Sequence, residues 1–258
     1  MVERIKIEPD EDVILLTTDV VYGYRTEFCG AQYLPLKLSL MRPRIHFSYD
    51  EKKTVPALLF LCGGGWSETD HNAWLPELSW FGKRGYAVVS VQYPVTAATR
   101  FPESLEAVKK AVSYLKANGE ALHIDMGHPV VMGESAGAYL ALLYAAREGA
   151  AGAVAFYPPV SPTALVDQET GECVLELPCG ADRFPSLLGE IGEGMPPVMI
   201  LHGTADSLVP YSHGERIYER ILEAGGRAEL LLIEGADHAE RNFFQEAVKE
   251  RILRFLNR

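Results

Sequence analysis

A serine lies between two glycines in residues 133–137, which read Gly-Glu-Ser-Ala-Gly. Residues 129–132 before it are apolar and typical of a strand, and residues 138–146 after it are rich in helix formers. A sharp strand-to-helix turn needs small residues on both sides and leaves the hydroxyl of Ser135 exposed. The start of a helix also directs unpaired backbone N–H groups at that oxygen, where negative charge develops during acyl transfer. The segment therefore predicts a nucleophilic serine, with the N–H of Ala136 as one oxyanion donor.

A serine hydroxyl needs a base to take its proton, and histidine suits that task because its ordinary pKa is about 6.5. Of the seven histidines, His238 is the best placed, in the turn after the apolar run 228–234. Asp206 follows another apolar run, and the carboxyl ends of buried parallel strands are where ligands gather. Asp237 adjoins His238, but neighbours in a tight turn rarely direct their side chains at one another. We predict Ser135 as nucleophile, His238 as base and Asp206 as the carboxylate that orients the base.

A second source of oxyanion donors is visible in residues 62–66, Cys-Gly-Gly-Gly-Trp, which follow the apolar run 58–61. Consecutive glycines let backbone N–H groups approach a substrate oxygen without obstruction by a Cβ atom. We predict the N–H groups of Gly64 and Gly65 as donors beside that of Ala136. A merely flexible turn is the alternative.

Composition excludes several classes of protein. The 258 residues carry 24 Lys and Arg against 35 Asp and Glu, a formal charge of −11, which disfavours nucleic acid as a partner. The N-terminus lacks the apolar core of a signal peptide, and no run approaches the roughly 18 apolar residues of a membrane span. We therefore expect a cytoplasmic protein with no membrane partner. The pairs Asp70–His71 and His123–Asp125 lack a third ligand at usable spacing, so no metal is predicted.

The four cysteines match no zinc-binding pattern, and reduced thiols are expected of Cys29, Cys62, Cys173 and Cys179. A bridge between Cys173 and Cys179 is the alternative if the protein is exported.

The order of the apolar runs predicts the fold. Runs at 13–17, 20–24 and 36–40 indicate antiparallel strands at one edge of a sheet. From residue 55 onward, strands alternate with amphipathic helices, which predicts an α/β fold with a mostly parallel sheet and helices on both faces. We expect residues 1–258 to form one domain. Residues 158–197 break this rhythm and are interpreted as an insertion near the site that shapes substrate choice, with a surface excursion as the alternative. The runs that predict the parallel strands are 57–61, 87–91, 130–132, 151–156, 198–201 and 230–233.

Four motifs in this order resemble the α/β-hydrolase esterases of the feruloyl/acetylxylan-esterase-like and hormone-sensitive-lipase-like groups. They are residues 62–66, 133–137, 202–210 and 235–238, with further likeness at 84–90 and 101–102. The resemblance implies hydrolysis of carboxylic esters, with acyl esters of xylan or other sugars as a plausible substrate class. Two positions depart from the pattern. Cys62 stands where such families usually carry His, and residues 92–94 read Gln-Tyr-Pro where Asp-Tyr-Arg is frequent.

The sequence thus predicts a serine carboxylesterase that acts on short acyl esters and needs no cofactor. Glu134 is expected to support the turn at Ser135 through hydrogen bonds. Amide hydrolysis, as in prolyl-oligopeptidase-like peptidases or arylformamidases, is the nearest alternative, and a non-enzymatic ligand receptor on the same fold is a more distant one. The oligomeric state is not predicted. Aromatic side chains are candidates to line a substrate pocket, with core or surface packing as the alternative for each: Trp66, Tyr93, Tyr157, Phe184 and Tyr211.

Overall fold

A computed structural model describes residues 1–8, 10–27, 30–44, 54–67, 69–95, 101–162 and 183–258. Strands of the described residues form an eight-stranded sheet in the order β1-β2-β4-β3-β5-β6-β7-β8. β1 pairs with β2 and β2 with β4 in antiparallel fashion, and the other neighbours are parallel. The predicted mostly parallel sheet with an antiparallel N-terminal edge is confirmed. The strands are β1 Ile14–Glu27, β2 Gln32–Pro43, β3 Val55–Leu61, β4 Ala87–Val91, β5 Ile124–Glu134, β6 Gly152–Phe156, β7 Val198–Gly203 and β8 Ala228–Ile233.

Two strands predicted near the N-terminus, 13–17 and 20–24, are one strand in the structure. The pairing of β1 with β2 shifts register between Thr17 and Val20, and Asp19 between them has a φ of 59°. Such a bulge interrupts the apolar alternation without ending the strand, so the sequence pattern suggests two pieces. β5 is likewise longer than its apolar run, because polar residues such as Asp125 pair with β3 at its amino end.

In the described ranges, six helices flank the sheet. Leu105, Val108, Val112 and Leu115 recur at helical spacing and form a buried face of α2. The helix α1 was not predicted from the sequence. In α5, Ile217 and Ile221 are buried, whereas Leu222 is 45% exposed. Adjacent positions on a helix point about 100° apart, so Leu222 faces away from the side on which Ile221 is buried. The helices are α1 Leu75–Gly82, α2 Glu103–Leu122, α3 Ala136–Glu148, α4 Leu187–Glu190, α5 Ser212–Glu223 and α6 Glu246–Leu256, with a 3₁₀ turn at Arg241–Phe244.

The core has two layers, one on each face of the sheet. Successive residues of β3 alternate between them: Leu59 packs with α2, α3 and α5, whereas Leu58 packs with α1 and α6. Burial on both faces explains why the parallel strands read as continuous apolar runs.

Two sequence predictions fall partly or wholly outside the described residues. Of the segment 158–197, the structure describes 158–162 and 183–197. Cys29, Cys173 and Cys179, and with them the proposed bridge, lie outside the described ranges, whereas Cys62 is a buried free thiol. Among the described helices, none is long and apolar enough to cross a membrane.

Candidate active site

The strand-to-helix turn at Ser135 has the strained geometry that the sequence predicts. β5 ends at Glu134 and α3 begins at Ala136, so a single residue joins them. Ser135 has a φ of 53° and a ψ of −122°, a conformation that side-chain-bearing residues rarely adopt. Such a residue costs on the order of 1–3 kcal/mol and persists only where its surroundings hold it. The turn presents the serine hydroxyl at the carboxyl edge of the sheet.

Glycines flank this turn because no side chain would fit. A Cβ atom on Gly133 would lie 2.5 Å from the carbonyl oxygen of Gly137, and one on Gly137 would lie 2.0 Å from the carbonyl oxygen of Leu61. The first turn of α3 therefore packs directly on the end of β3, which brings the loop after β3 beside the nucleophile.

His238 lies between Ser135 and Asp206 at hydrogen-bond distance from both. Its Nε2 is 3.0 Å from Oγ of Ser135, and its Nδ1 is 2.8 Å from Oδ2 of Asp206. The carboxylate can only accept, so the neutral ring carries its proton on Nδ1 and leaves Nε2 to accept from the serine hydroxyl. The three side chains follow the ends of β5, β7 and β8. In the sheet these strands lie in the consecutive order β5-β6-β7-β8, so their carboxyl ends are close together.

Asp206 is buried and surrounded by donors. Its Oδ1 accepts from the backbone N–H of Leu208 at 3.0 Å and of Val209 at 2.7 Å. Nε2 of His202, a fully buried residue, lies 3.4 Å from Oδ2 and 2.8 Å from the carbonyl oxygen of Val209. Burial by itself would raise the pKa of Asp206, but the hydrogen bonds from His202 and His238 outweigh it and hold the pKa well below its ordinary value. The carboxylate is thus ionised at neutral pH.

Asp237 has a different place. Its carboxylate accepts from the backbone N–H of Ser207 at 2.8 Å, from the Ser207 hydroxyl at 2.9 Å and from the backbone N–H of His238 at 2.7 Å. It therefore ties the loop after β7 to the loop after β8. Asp206, and not Asp237, contacts the imidazole ring.

The glycine loop after β3 lies beside the nucleophile with an unusual backbone. Gly64 and Gly65 have φ values of 135° and 58°, which glycine adopts without strain. The carbonyl oxygen of the preceding Cys62 accepts from the hydroxyl of Tyr93. Across the site, the N–H of Ala136 occupies the first position of α3, where a helix offers no acceptor of its own. The donor roles of Gly64, Gly65 and Ala136 stay a prediction.

The five candidate pocket residues differ in exposure. Tyr93 and Tyr157 are almost fully buried, the latter with its ring 4.5 Å from that of His238. Tyr157 therefore packs behind the site, whereas Tyr93 also lines a cleft beside the N-terminal hairpin. Tyr211, by contrast, is exposed just before α5.

Trp66 and Phe184 belong to an aromatic cluster at the same edge. The Trp66 ring lies 5.8 Å from that of Tyr139 and 6.2 Å from that of Phe184. Both residues are buried. The predicted substrate contacts of all five aromatic residues remain predictions.

Two further histidines were not singled out as functional from the sequence. His202 borders Asp206, and His213 accepts from the backbone N–H of Val160 at 3.1 Å through its Nδ1. Burial and the neighbouring His202 lower the pKa of His213 to about 4, so this ring is neutral at pH 7. The only sequence signal for His202 is its place four residues before Asp206. Among the described residues, no group of three His, Cys, Asp or Glu side chains is arranged to hold a metal ion.

A cleft of about 450 Å³ lies beside the N-terminal hairpin. Tyr93 forms part of its wall and, through the bond to Cys62, connects it to the loop. The remaining wall mixes polar and apolar side chains, with the guanidinium of Arg25 among them. The lining residues are Arg25, Leu34, Pro35, Leu36, Thr69, Gln92, Tyr93, Pro94 and Val95.

The sequence is similar to a family model and to a curated esterase. The family model BD-FAE matches residues 44–169. The Mycobacterium tuberculosis protein named Esterase LipC is 25% identical over 215 residues, covering 72% of this chain and 53% of that protein. The chain therefore spans about half the length of that relative.

Two solved structures resemble the whole fold. A thermophilic esterase from the Planctomycetes species Thermogutta terrifontis, with propionate bound, has a TM-score of 0.72 and 25% identity over 93% of each chain. A truncated carbohydrate esterase from gut microbiota has a TM-score of 0.76 at 17% identity, covering 94% of this chain and 95% of that one. The protein has the α/β-hydrolase fold, and it is similar to esterases of that fold.

Proposed function

We propose that the protein is a serine carboxylesterase with Ser135 as nucleophile, His238 as general base and acid, and Asp206 as the group that orients His238. The observation that carries the proposal is the unbroken chain of contacts from Asp206 through His238 to Ser135, at 2.8 and 3.0 Å. These are the distances that proton transfer to and from a serine hydroxyl requires.

In the proposed reaction, the Ser135 proton passes to Nε2 of His238 as Oγ forms a bond with the ester carbonyl carbon. The ionised Asp206 stabilises the imidazolium that results. The carbonyl oxygen, now negative, accepts from the N–H groups of Ala136, Gly64 and Gly65. The bond to the alcohol then breaks, and the alcohol leaves with the proton of His238. Water, deprotonated by His238, attacks the acyl-enzyme, and the acid is released as Ser135 regains its proton.

Short acyl esters are the proposed substrates, with acetylated or feruloylated sugars as one possible source. A 25%-identical esterase binds propionate, and the BD-FAE match and the carbohydrate esterase are compatible with a sugar alcohol. We also propose that the segment 158–197 borders the site, since it begins after the carboxyl end of β6, at the edge that carries Ser135 and Asp206.

Replacement of Ser135 tests the nucleophile. Ser135→Ala should lower the hydrolysis of nitrophenyl acetate by several orders of magnitude, because the remaining groups cannot form an acyl-enzyme. Ser113→Ala, on the surface of α2, is the matched control and should keep wild-type turnover. A folded Ser135→Ala protein with a tenth of wild-type activity would refute the assignment.

A series of nitrophenyl esters tests the acyl preference. Acetyl to butyryl esters should turn over faster than decanoyl esters, and the same plate should include acetylated xylo-oligosaccharides and aminoacyl anilides. Faster decanoyl turnover would contradict the short-acyl proposal. Faster anilide turnover would favour an amide hydrolase.

A further inference from the structure

The carboxylate of Glu134 is buried one residue before the proposed nucleophile, and the reaction described above does not use it. Glu134 is the last residue of β5 and is 6% exposed. A buried carboxylate is costly unless donors surround it. The identity of those donors indicates what the side chain does.

Three donors meet at Oε1 of Glu134, and all come from other segments of the chain. The backbone N–H of Gly63 donates to it in a very close hydrogen bond. The indole N–H of Trp74 donates at 3.2 Å, and the thiol of Cys62 lies at 3.5 Å. Two of the three donors thus belong to the loop that continues into Gly64 and Gly65.

The packing between this loop and Glu134 leaves no free space. A Cβ atom on Gly63 would lie 2.6 and 2.7 Å from the two carboxylate oxygens of Glu134. Position 63 therefore needs glycine because the carboxylate occupies the place of a side chain. This is a separate reason from the positive φ that applies at Gly64 and Gly65.

Other contacts fix the same arrangement from outside. The hydroxyl of Tyr93 donates to the carbonyl oxygen of Cys62, so the loop is held on both sides. The ring of Trp74 stacks on that of Phe244 at 4.5 Å and 21°, which keeps its N–H directed at Glu134. Glu134 is therefore the common acceptor for an otherwise separate loop and helix start.

We infer that Glu134 is a positioning residue whose carboxylate fixes the Cys62–Gly63 backbone against β5, and so sets where the N–H groups of Gly64 and Gly65 lie relative to Ser135. The last residue of β5 would then locate the glycine half of the oxyanion site, and the residue that follows it is the proposed nucleophile. Burial raises the pKa of Glu134, against the hydrogen bonds from Gly63, Cys62 and Trp74 that lower it.

The inference rests on the proposed function, and two measurements distinguish a failure of the inference from a failure of the proposed function. The first is kcat and KM for nitrophenyl acetate, with kcat expressed per active site. The second is the rate at which a fluorophosphonate labels Ser135, in which an Oγ–P bond forms, fluoride leaves and the serine proton passes to His238. Labelling also builds negative charge on an oxygen in the oxyanion site, and it needs no ester turnover.

Glu134→Ala should lower both kcat and the labelling rate on the order of a hundredfold, the size of effect expected when oxyanion donors are misplaced. KM should stay within about threefold, because the lost interaction exists only in the transition state. Glu134→Gln keeps an acceptor oxygen for Gly63 and should lose only about two- to fivefold in kcat. Glu106→Ala, which removes an exposed ion pair with Lys109 on α2, is the matched control and should match wild type in both readouts.

A Glu134→Ala protein with kcat per active site and labelling rate within threefold of wild type would overturn the inference. A rise in KM at unchanged kcat would do the same. If the Ala variant does not fold, the Gln variant decides, and wild-type kcat and labelling in it count against the inference. If wild-type Ser135 is labelled but no ester is hydrolysed, the proposed function fails while the labelling rates still test Glu134.

Discussion

Glu134 and Asp206 are two buried carboxylates near the proposed nucleophile, and their surroundings shift their pKa values in opposite directions. Asp206 accepts from two backbone N–H groups and faces the rings of His202 and His238, and its pKa lies well below the ordinary value. Glu134 accepts from one backbone N–H, an indole and a thiol, and burial raises its pKa.

The difference lies in the number and kind of donors, since both carboxylates are buried. Imidazole N–H groups and two backbone amides are strong enough to overcome the cost of burial, whereas a single amide with an indole and a thiol is not. A strongly ionised carboxylate suits the stabilisation of an imidazolium, and a costly buried carboxylate with fixed donors suits the positioning of a loop. Environments that push two pKa values apart are a general sign of different roles in one site.

The largest expected effect comes from removing the charge of Asp206. Asp206→Asn should lower turnover about a thousand- to ten-thousandfold, because an amide favours the wrong tautomer of His238. Asp237→Asn is the matched control on the neighbouring loop, and it should cost less than about tenfold. Both losses are measured as kcat for nitrophenyl acetate relative to wild type, and circular dichroism checks that the variants are folded.

Reversed effects in these two variants would show that Asp237 orients the base. Equal losses in both would point instead to a general disturbance of the loops after β7 and β8.

The dependence of stability on pH should separate the two carboxylates by sign. The folded-state pKa of Glu134 is raised, so the wild type should lose stability relative to Glu134→Gln as pH rises from about 4.5 through that pKa. The folded-state pKa of Asp206 is lowered, so its contribution is present above about 3.8 and is lost as pH falls below that value. Each slope is at most about 1.4 kcal/mol per pH unit.

Urea unfolding of the wild type, Glu134→Gln and Asp206→Asn across pH 3–7 measures both differences. Slopes of the same sign for the two variants would contradict the contrast between the carboxylates.

The smallest effect is expected at Cys62, the weakest of the three donors to Glu134. Burial, and then the nearby Glu134, raise the pKa of the Cys62 thiol, which is therefore protonated at neutral pH. A serine hydroxyl can donate to the same oxygen, so Cys62→Ser should keep kcat within about threefold of wild type. An inactive but folded Cys62→Ser variant would show that the thiol has a chemical role beyond its contact with Glu134.

Much of the candidate site follows from the sequence because its signals are local. The Gly-Glu-Ser-Ala-Gly segment between an apolar run and a helix predicts the turn at Ser135, since only glycine fits at positions 133 and 137. The ends of parallel strands meet at one edge, so the positions of Asp206 and His238 after two such strands predict that they lie near Ser135.

What the sequence by itself determined is the α/β fold, the strand-to-helix turn and the strands that carry the three side chains. Only the tertiary structure decided which aromatic residues are buried and which carboxylates share donors with distant segments. The sequence predicts Tyr93 and Tyr157 as pocket residues, because aromatic side chains occur both in pocket walls and in protein cores. The link from Glu134 to Gly63 and Trp74 spans more than 50 positions, and no periodicity records a contact of that separation. Local patterns report the covalent neighbourhood of a residue, whereas the donors around a buried charge depend on where the whole chain has packed.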